Sequence, residues 1–268
     1  MRRISTCAAT AAIALATLGY AGAGTITENF RYDDTSGQNN GPNITVPTFT
    51  YTLIDRTDPD TGVVFDVSMT ISPTGGTGNL RTNGGTSDRE FGVEGGNAAI
   101  EPGEAITAAP PVITITDFAG NDPADVDVSF DGYTEVILYF VGNGGDAARL
   151  TDGSTELWSF EGTLDPAENG GSPVTSDDSL FTFGVAGQHG SPGGNALIDL
   201  SGFLPQTLVL EGLAHSNPPN TGTNDDLSRL RVDDFRAQFT VTVIPEPAAG
   251  VLVGLALSAM SVAGTRQR

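Results

Sequence analysis

The sequence predicts an all-β fold, an antiparallel β-sandwich with a jelly-roll-like arrangement of strands, between two apolar ends of the chain. Glycine and proline are abundant, at 35 and 16 residues, and such a composition indicates many turns. Several short runs alternate apolar and polar residues with the period of two that is typical of half-buried strands. Between the two ends, no segment has apolar residues at the spacing of an amphipathic helix. A β-barrel is the alternative architecture.

We expect the sandwich to form one domain over residues 24–243. Its length of about 220 residues is enough for a single hydrophobic core, and nothing in the composition requires a second one. This part of the chain contains no cysteine, so the fold has no disulfide support. The chain also lacks lysine and carries a formal net charge of −21, which excludes binding to nucleic acid and favours divalent cations.

The first strands are predicted from two alternating runs on either side of a turn sequence. Residues 48–53 place three large apolar side chains on one face and threonines on the other, and residues 63–71 repeat the pattern. The segment Asp58-Pro59-Asp60-Thr61-Gly62 between them has the residue types of a tight turn. We therefore expect an antiparallel hairpin. The glycine-rich segment over residues 72–96 is expected to contain short strands and little buried surface.

Further strands are predicted along the rest of the domain. Residues 135–141 are apolar on both faces, so this strand is expected at the centre of a sheet. Residues 230–243 form the longest alternating run and lead directly into the C-terminal segment. The remaining predicted strands are residues 111–117, 126–130, 156–160, 180–185, 196–200 and 207–213.

The N-terminal end has the organisation of an export signal. Two arginines near the start are followed by an apolar run over residues 8–18, and Ala21 and Ala23 then supply the small-x-small pattern that signal peptidase requires. The sequence therefore predicts a secretory signal peptide over residues 1–23, cut before Gly24. We favour general secretion over twin-arginine export, because the longer polar lead and the rest of the twin-arginine motif are missing.

The C-terminal end has the organisation of a membrane segment. The triplet Pro245-Glu246-Pro247 is followed by an uncharged apolar stretch over residues 248–264, and then by Arg266 and Arg268. As a helix this stretch is about 26 Å long, a little short of the hydrocarbon core, so it crosses a thin bilayer. The prolines end any helix at the triplet, and the terminal arginines favour a cytoplasmic C-terminus with the acidic domain outside. A plain membrane anchor is the alternative.

Signal peptide, exterior domain, Pro245-Glu246-Pro247, apolar helix and terminal arginines, in this order, resemble the PEP-CTERM family of bacterial surface proteins. The resemblance lies in the tail, about a tenth of the chain. It implies that the tail is a sorting signal, recognised in the inner membrane by an exosortase that cuts near the triplet. It also implies a Gram-negative-type bacterium and a final location at the cell surface or in an exopolysaccharide or biofilm matrix. One departure is the sparse basic end, where Gln267 separates Arg266 from Arg268.

The domain itself carries no recognisable catalytic pattern. Its two histidines, His189 and His215, lack the spacing of a zinc site, and no nucleophile elbow, phosphate loop or dinucleotide fingerprint is present. We therefore expect a noncatalytic surface or matrix protein. One alternative is a module that binds exopolysaccharide through stacking on Trp158, Tyr133 or Tyr139, which would otherwise be core residues. A secreted hydrolase is a weaker alternative.

The two ends of the domain also suggest a structural calcium ion. Asp233 on the last predicted strand and Glu28 near the predicted mature start resemble the paired terminal strands of jelly-roll carbohydrate-binding modules. In those modules, acids of the first and last strands often share calcium, so the resemblance implies Glu28 and Asp233 as ligands. The alternative is a solvated acid at each end of a sandwich.

Overall fold

The computed structural model describes residues 22–31, 44–84, 89–94, 99–139, 147–161, 174–175, 181–183, 195–214 and 230–244. These residues form strands, turns and one short 3-10 helix, Pro123–Asp125. The strands are β1 (Gly22–Arg31), β2 (Thr45–Val46), β3 (Phe49–Thr57), β4 (Val64–Thr74), β5 (Leu80–Gly84), β6 (Arg89–Val93), β7 (Ala105–Ala108), β8 (Val112–Asp117), β9 (Val126–Tyr139), β10 (Ala147–Asp152), β11 (Thr155–Glu161), β12 (Val174–Thr175), β13 (Phe181–Phe183), β14 (Asn195–Asp199), β15 (Leu208–Gly212) and β16 (Arg231–Val243).

The strands assemble into two antiparallel sheets. The first sheet has the order β13-β14-β9-β16-β6-β5-β2, and β1 also pairs with β16. The second has the order β12-β11-β10-β15-β7-β4-β3, and β8 also pairs with β4. The predicted all-β class is therefore confirmed.

One hydrophobic core lies between the two sheets. The ring centroids of Phe239 in the first sheet and Phe65 in the second are 6.1 Å apart, and those of Phe30 and Tyr51 are 6.3 Å apart. Buried side chains from both sheets belong to the same cluster. The largest fully buried side chains are mostly aromatic, and each aromatic ring removes a large apolar area from water. The two sheets and their shared core give the arrangement of a sandwich.

The predicted first hairpin is confirmed. β3 and β4 pair in antiparallel register, with Tyr51 opposite Met69 and Leu53 opposite Val67. The apolar side of β4 faces the core from Phe65 to Ile71, as its alternating burial shows. A bulge between Leu53 and Arg56 interrupts the ladder, and Asp55 adopts a positive φ of 54° there.

The expectation of little buried surface over residues 72–96 is wrong. Leu80, Phe91 and Val93 are fully buried, because β5 and β6 pair with each other and turn alternate side chains toward the core. β6 joins the first sheet where Phe91 lies opposite Val232 of β16. The glycines shorten these strands without removing their apolar face.

The two strands predicted over residues 126–130 and 135–141 form one strand, β9. Gly132 bridges them with a φ of +149°, and the register against β16 shifts on both sides of it. A β-carbon on Gly132 would overlap the backbone of Leu204, so only glycine fits this bend. The predicted central position is confirmed, since β9 lies between β14 and β16.

β1 extends the first sheet along almost all of β16. The ten residues of β1 pair with residues 234–243 in unbroken antiparallel register. Its inward positions include Gly22, Gly24 and Glu28 as well as Phe30, and this hides the apolar alternation in the sequence. The predicted strands near residues 111–117, 156–160, 180–185, 196–200 and 207–213 are present with slightly different bounds.

In the part of the chain that the structure describes, no helix is long and apolar enough to cross a membrane. The predicted helix over residues 248–264 and most of the predicted signal peptide lie outside the described residues.

Candidate functional site

The chain enters and leaves the described domain side by side. Gly22, the first residue of β1, lies opposite Val243, the last residue of β16. Val243 also lies opposite Val126, the first residue of β9, so three strands end together. Neighbouring strands are about 5 Å apart. We call residues 22–24 and 242–244 the paired ends, and they are the candidate functional site because both predicted processing points adjoin them.

The exit from the sheet is held to the last described residue. The backbone N–H of Ile244 donates to the carbonyl oxygen of Asp125 at 2.8 Å, while the Ile244 side chain is 58% exposed. Asp125 ends the 3-10 helix, whose first turn is capped by the carboxylate of Asp122 through the Ala124 N–H at 2.9 Å. Pro245 follows Ile244 directly, so no linker separates the fold from the triplet.

The entry packs against a buried acid. Asp58, in the turn between β3 and β4, is fully buried and accepts hydrogen bonds from Thr61 N–H at 3.0 Å and from the Thr61 hydroxyl at 2.5 Å. The Asp58 N–H and carbonyl also bind Val63 and Gly62 across the turn. A β-carbon on Gly24 would overlap the Asp58 carboxylate. The acid therefore lies directly against the backbone of β1.

Acidic residues surround the paired ends. Asp58 and Asp60 lie beside the entry, and Asp122, Asp125 and Asp127 lie in the turn and strand start beside the exit. Arginine and lysine are both missing from the segments that form this edge, residues 22–24, 58–62, 117–127 and 242–244. The edge is consequently negative and repels anionic lipid headgroups.

The predicted sorting elements Pro245, Glu246, Pro247, Arg266 and Arg268 lie outside the described residues, and the structure places only the residue before them.

The two residues of the predicted signal cleavage pattern differ in placement. Ala21 lies outside the described residues, whereas Ala23 is an exposed residue of β1, opposite Thr242. The bond between Ala23 and Gly24 is thus inside the β1–β16 ladder. A peptidase that cuts this bond must act before β1 pairs with β16.

The structure does not bring the two predicted calcium ligands together. Glu28 lies opposite Ala237, four residues along β16 from Asp233, so their backbones are about 13 Å apart. The Glu28 carboxylate instead accepts from the Arg56 Nε at 2.7 Å. The expected shared ion fails because β1 and β16 pair in a register that offsets the two acids. Over the described ranges, no group of three or more histidine, cysteine, aspartate or glutamate residues is close enough to hold a metal ion.

Two of the three aromatic candidates for sugar stacking are core residues. Trp158 and Tyr133 are fully buried. The Tyr133 hydroxyl donates to the carbonyl oxygen of Ala109 at 2.5 Å, and burial raises the pKa of this hydroxyl. The side chain of Tyr139 lies outside the described residues. Neither Trp158 nor Tyr133 presents a ring face to a ligand.

Comparison with known proteins assigns no family, since no family model and no curated protein matches the chain.

The resemblance to jelly-roll modules implied that the first and last strands pair, and β1 and β16 do pair, but sequence reasoning missed two features of this site. One is the contact of Gly24 with Asp58, and the other is the adjacency of Gly22 and Val243. Both join residues far apart in the chain, and the local alternation of apolar residues carries no signal for either.

Proposed function

We propose that the protein is an exported, noncatalytic surface or matrix protein that its tail holds in the inner membrane until an exosortase cuts near Pro245-Glu246-Pro247. The observation that supports this proposal best is the adjacency of Gly22 and Val243 in one ladder. The predicted signal cut after Ala23 lies one residue beyond the first of these residues, and the predicted tail begins directly after the second. For the fold, we extend the proposal to the jelly-roll form of the sandwich, supported by the pairing of the first and last strands.

Adjacent ends suit a domain whose cut N-terminus and tail both emerge at one membrane. β16 has 13 residues, so its two ends are about 40 Å apart. If β1 ran parallel to β16, the cut N-terminus and the tail would lie that far apart. With antiparallel pairing, the newly cut N-terminus and the tail leave the domain on strands about 5 Å apart, so both ends of the mature domain face the same side.

The acidic edge supports access to the triplet. Anionic headgroups and the carboxylates near Ile244 repel each other, so this edge stays apart from the lipid surface. The triplet then lies in the gap between the fold and the bilayer. A membrane enzyme with its active site at the outer surface reaches it there.

The decisive experiment replaces Pro245, Glu246 and Pro247 with alanine in a bacterium that encodes an exosortase. The variant is expected to remain in the inner membrane with its tail intact, since the enzyme loses its recognition element. The matched control replaces the exposed Pro110 and its neighbour Pro111 with alanine. These two prolines lie in the loop before β8, so the control also loses prolines but keeps the triplet. Cell fractionation and intact mass report location and processing. Normal surface delivery of the triplet variant would overturn the sorting proposal.

A further inference from the structure

The buried carboxylate of Asp58 lies in a negative environment. It accepts hydrogen bonds from the N–H and hydroxyl of Thr61 and, at 3.5 Å, from the Asp60 N–H, but none of the ion pairs among the described residues includes Asp58. Burying a carboxylate costs free energy unless a counter-charge or further donors stabilise it. A cation that fits beside Asp58 would therefore be strongly favoured.

Gly24 brings its backbone nitrogen to this carboxylate. Because a β-carbon on Gly24 would overlap the Asp58 oxygens, the Gly24 α-carbon is in contact with them. The nitrogen is one bond further, so it lies within about 5 Å of the carboxylate. In the uncut chain this nitrogen is a neutral amide. Cutting after Ala23 turns it into a primary amine that is free to rotate about the bond from its α-carbon to the carbonyl.

Among the described residues, the cation nearest to Asp58 along the chain is Arg56, which is paired with Glu28. The residues of β16 at the register of Gly24, Thr240 to Thr242, are uncharged. In the turn, Asp58 and Asp60 are both acidic. Glu28, the partner of Arg56, lies four residues along β1, so its backbone is about 13 Å from Gly24. The field at the Gly24 nitrogen therefore favours a positive charge.

We propose that removal of the signal peptide creates an ion pair in which the new α-ammonium group of Gly24 binds the buried carboxylate of Asp58. The inference rests on the export signal in the proposed function and adds a role for its cut. Cleavage supplies the cation that Asp58 lacks, and the pair fixes the start of β1 against the β3–β4 turn. Glycine is required at the new terminus because a side chain would occupy the place of the carboxylate.

The absence of lysine makes the test direct, since the α-amine is the one primary amine of the processed protein. The full-length gene is expressed with export, and intact mass identifies the N-terminus. The amine is then reductively methylated with ¹³C-formaldehyde, which keeps its charge, and the single dimethylamine resonance is followed by NMR against pH.

We expect the pKa of this amine to lie above that in the Asp58→Asn variant, because the carboxylate stabilises the charged form. At pH 8, close to the ordinary pKa of an α-amine of about 7.7 to 8.0, the uncharged fraction should be several-fold lower than in the variant. The control variant Asp60→Asn alters an exposed acid of the same turn and should leave most of this difference in place.

A second variant keeps the proposal testable if Asp58→Asn does not fold. Inserting one alanine between Ala23 and Gly24 moves the amine about 3.3 Å along the strand with Asp58 intact, so its pKa should fall. A wild-type amine that titrates like this insertion variant would overturn the ion pair. A mature N-terminus at another residue would overturn it while leaving export in place, whereas a chain that is never cut would overturn both proposals.

Discussion

Three buried carboxylates in this domain accept hydrogen bonds from donors in their own turn or in the opposite sheet. Glu28 accepts from Arg56 across the sandwich at 2.7 Å, and Asp58 accepts from Thr61 three residues along the chain. Glu104 accepts from the Glu101 N–H at 2.9 Å. Such bonds offset the loss of hydration, so an acidic chain can place some of its charges inside.

In Glu104, the folded protein disfavours the ionised form of the carboxyl group. Burial raises the pKa of its carboxyl above the ordinary value of 4.5, against the hydrogen bond from Glu101 N–H, and the Glu101 carboxylate raises it further. The folded state therefore binds this proton more tightly than the unfolded state. The stability that protonated Glu104 contributes is full below pH 4.5 and is lost as the pH rises through the raised folded value.

We predict that Glu104→Gln reduces the loss of unfolding free energy that the ionisation of Glu104 causes as the pH rises. Glutamine keeps an acceptor for Glu101 N–H but cannot ionise, so the free energy of unfolding of the variant, relative to wild type, should increase as the pH rises above 4.5. Urea unfolding at a series of pH values measures this difference. The exposed acid Asp127 provides the control through Asp127→Asn. An unchanged or opposite trend for Glu104→Gln would contradict the burial of its charge.

At the scale of elements, β16 is the strand around which the first sheet is built. It pairs with β1 and β6 on one side and with β9 on the other. Its ring at Phe239 lies 5.7 Å from Phe130, 6.1 Å from Phe65 and 6.5 Å from Phe30, measured between centroids. One side chain thus contacts three other strands across both sheets.

We predict that Phe239→Ala lowers the free energy of unfolding by about 3 to 5 kcal/mol, because it removes a fully buried ring and leaves a cavity that the sheets cannot close. Thr242→Ala on the outer face of the same strand should change it by less than about 0.5 kcal/mol. Urea denaturation followed by tryptophan fluorescence measures both variants, since Trp158 is buried in the same core. Equal effects of the two substitutions would argue against the shared core.

The elements also explain which parts of the fold the sequence predicts. The β3–β4 hairpin is predictable because both strands alternate clearly and the turn between them is short. β1 is not, because glycine at positions 22 and 24 and an acid at position 28 occupy its inward face. Its partner β16 is about two hundred residues away, and such pairings leave no local pattern.

The candidate site also has parts that the sequence predicts and parts that it does not. The small-x-small pattern before Gly24 and the triplet after Ile244 are local motifs, and the sequence alone predicts both. Their adjacency depends on the antiparallel pairing of Gly22 with Val243, which only the fold determines. The prediction that Glu28 and Asp233 share a calcium ion is wrong for the same reason. Knowing which two strands pair does not determine the register in which they pair.

For the whole molecule, net charge is the dominant property. A formal charge of −21 with no lysine means that like charges repel over the entire surface and oppose the compact state. Ion pairs such as Arg149–Glu211 and Arg236–Glu135 neutralise a few of the acids. Most of the repulsion remains. At 0.1 M salt, it is largely screened between charges that are more than about 10 Å apart.

We predict that the melting temperature rises as sodium chloride increases from about 0.01 to 0.3 M, because screening reduces this repulsion in the folded state. Differential scanning calorimetry measures the change. Magnesium and calcium chloride at equal ionic strength serve as controls. Equal shifts for the two divalent salts indicate general screening, whereas a larger shift with calcium indicates a specific site. A melting temperature that falls with sodium chloride would contradict the repulsion argument.

The position of the exit also determines how the domain bears mechanical load. A domain attached through its C-terminal tail is pulled at Val243, along the axis of β16. Because ladder hydrogen bonds run across the strands, a force along β16 shears the bonds to β1 and β9 together and does not break them one after another. In the proposed state in which the tail holds the domain at the membrane, a pull on the tail would thus load a strand that pairs with neighbours on both sides.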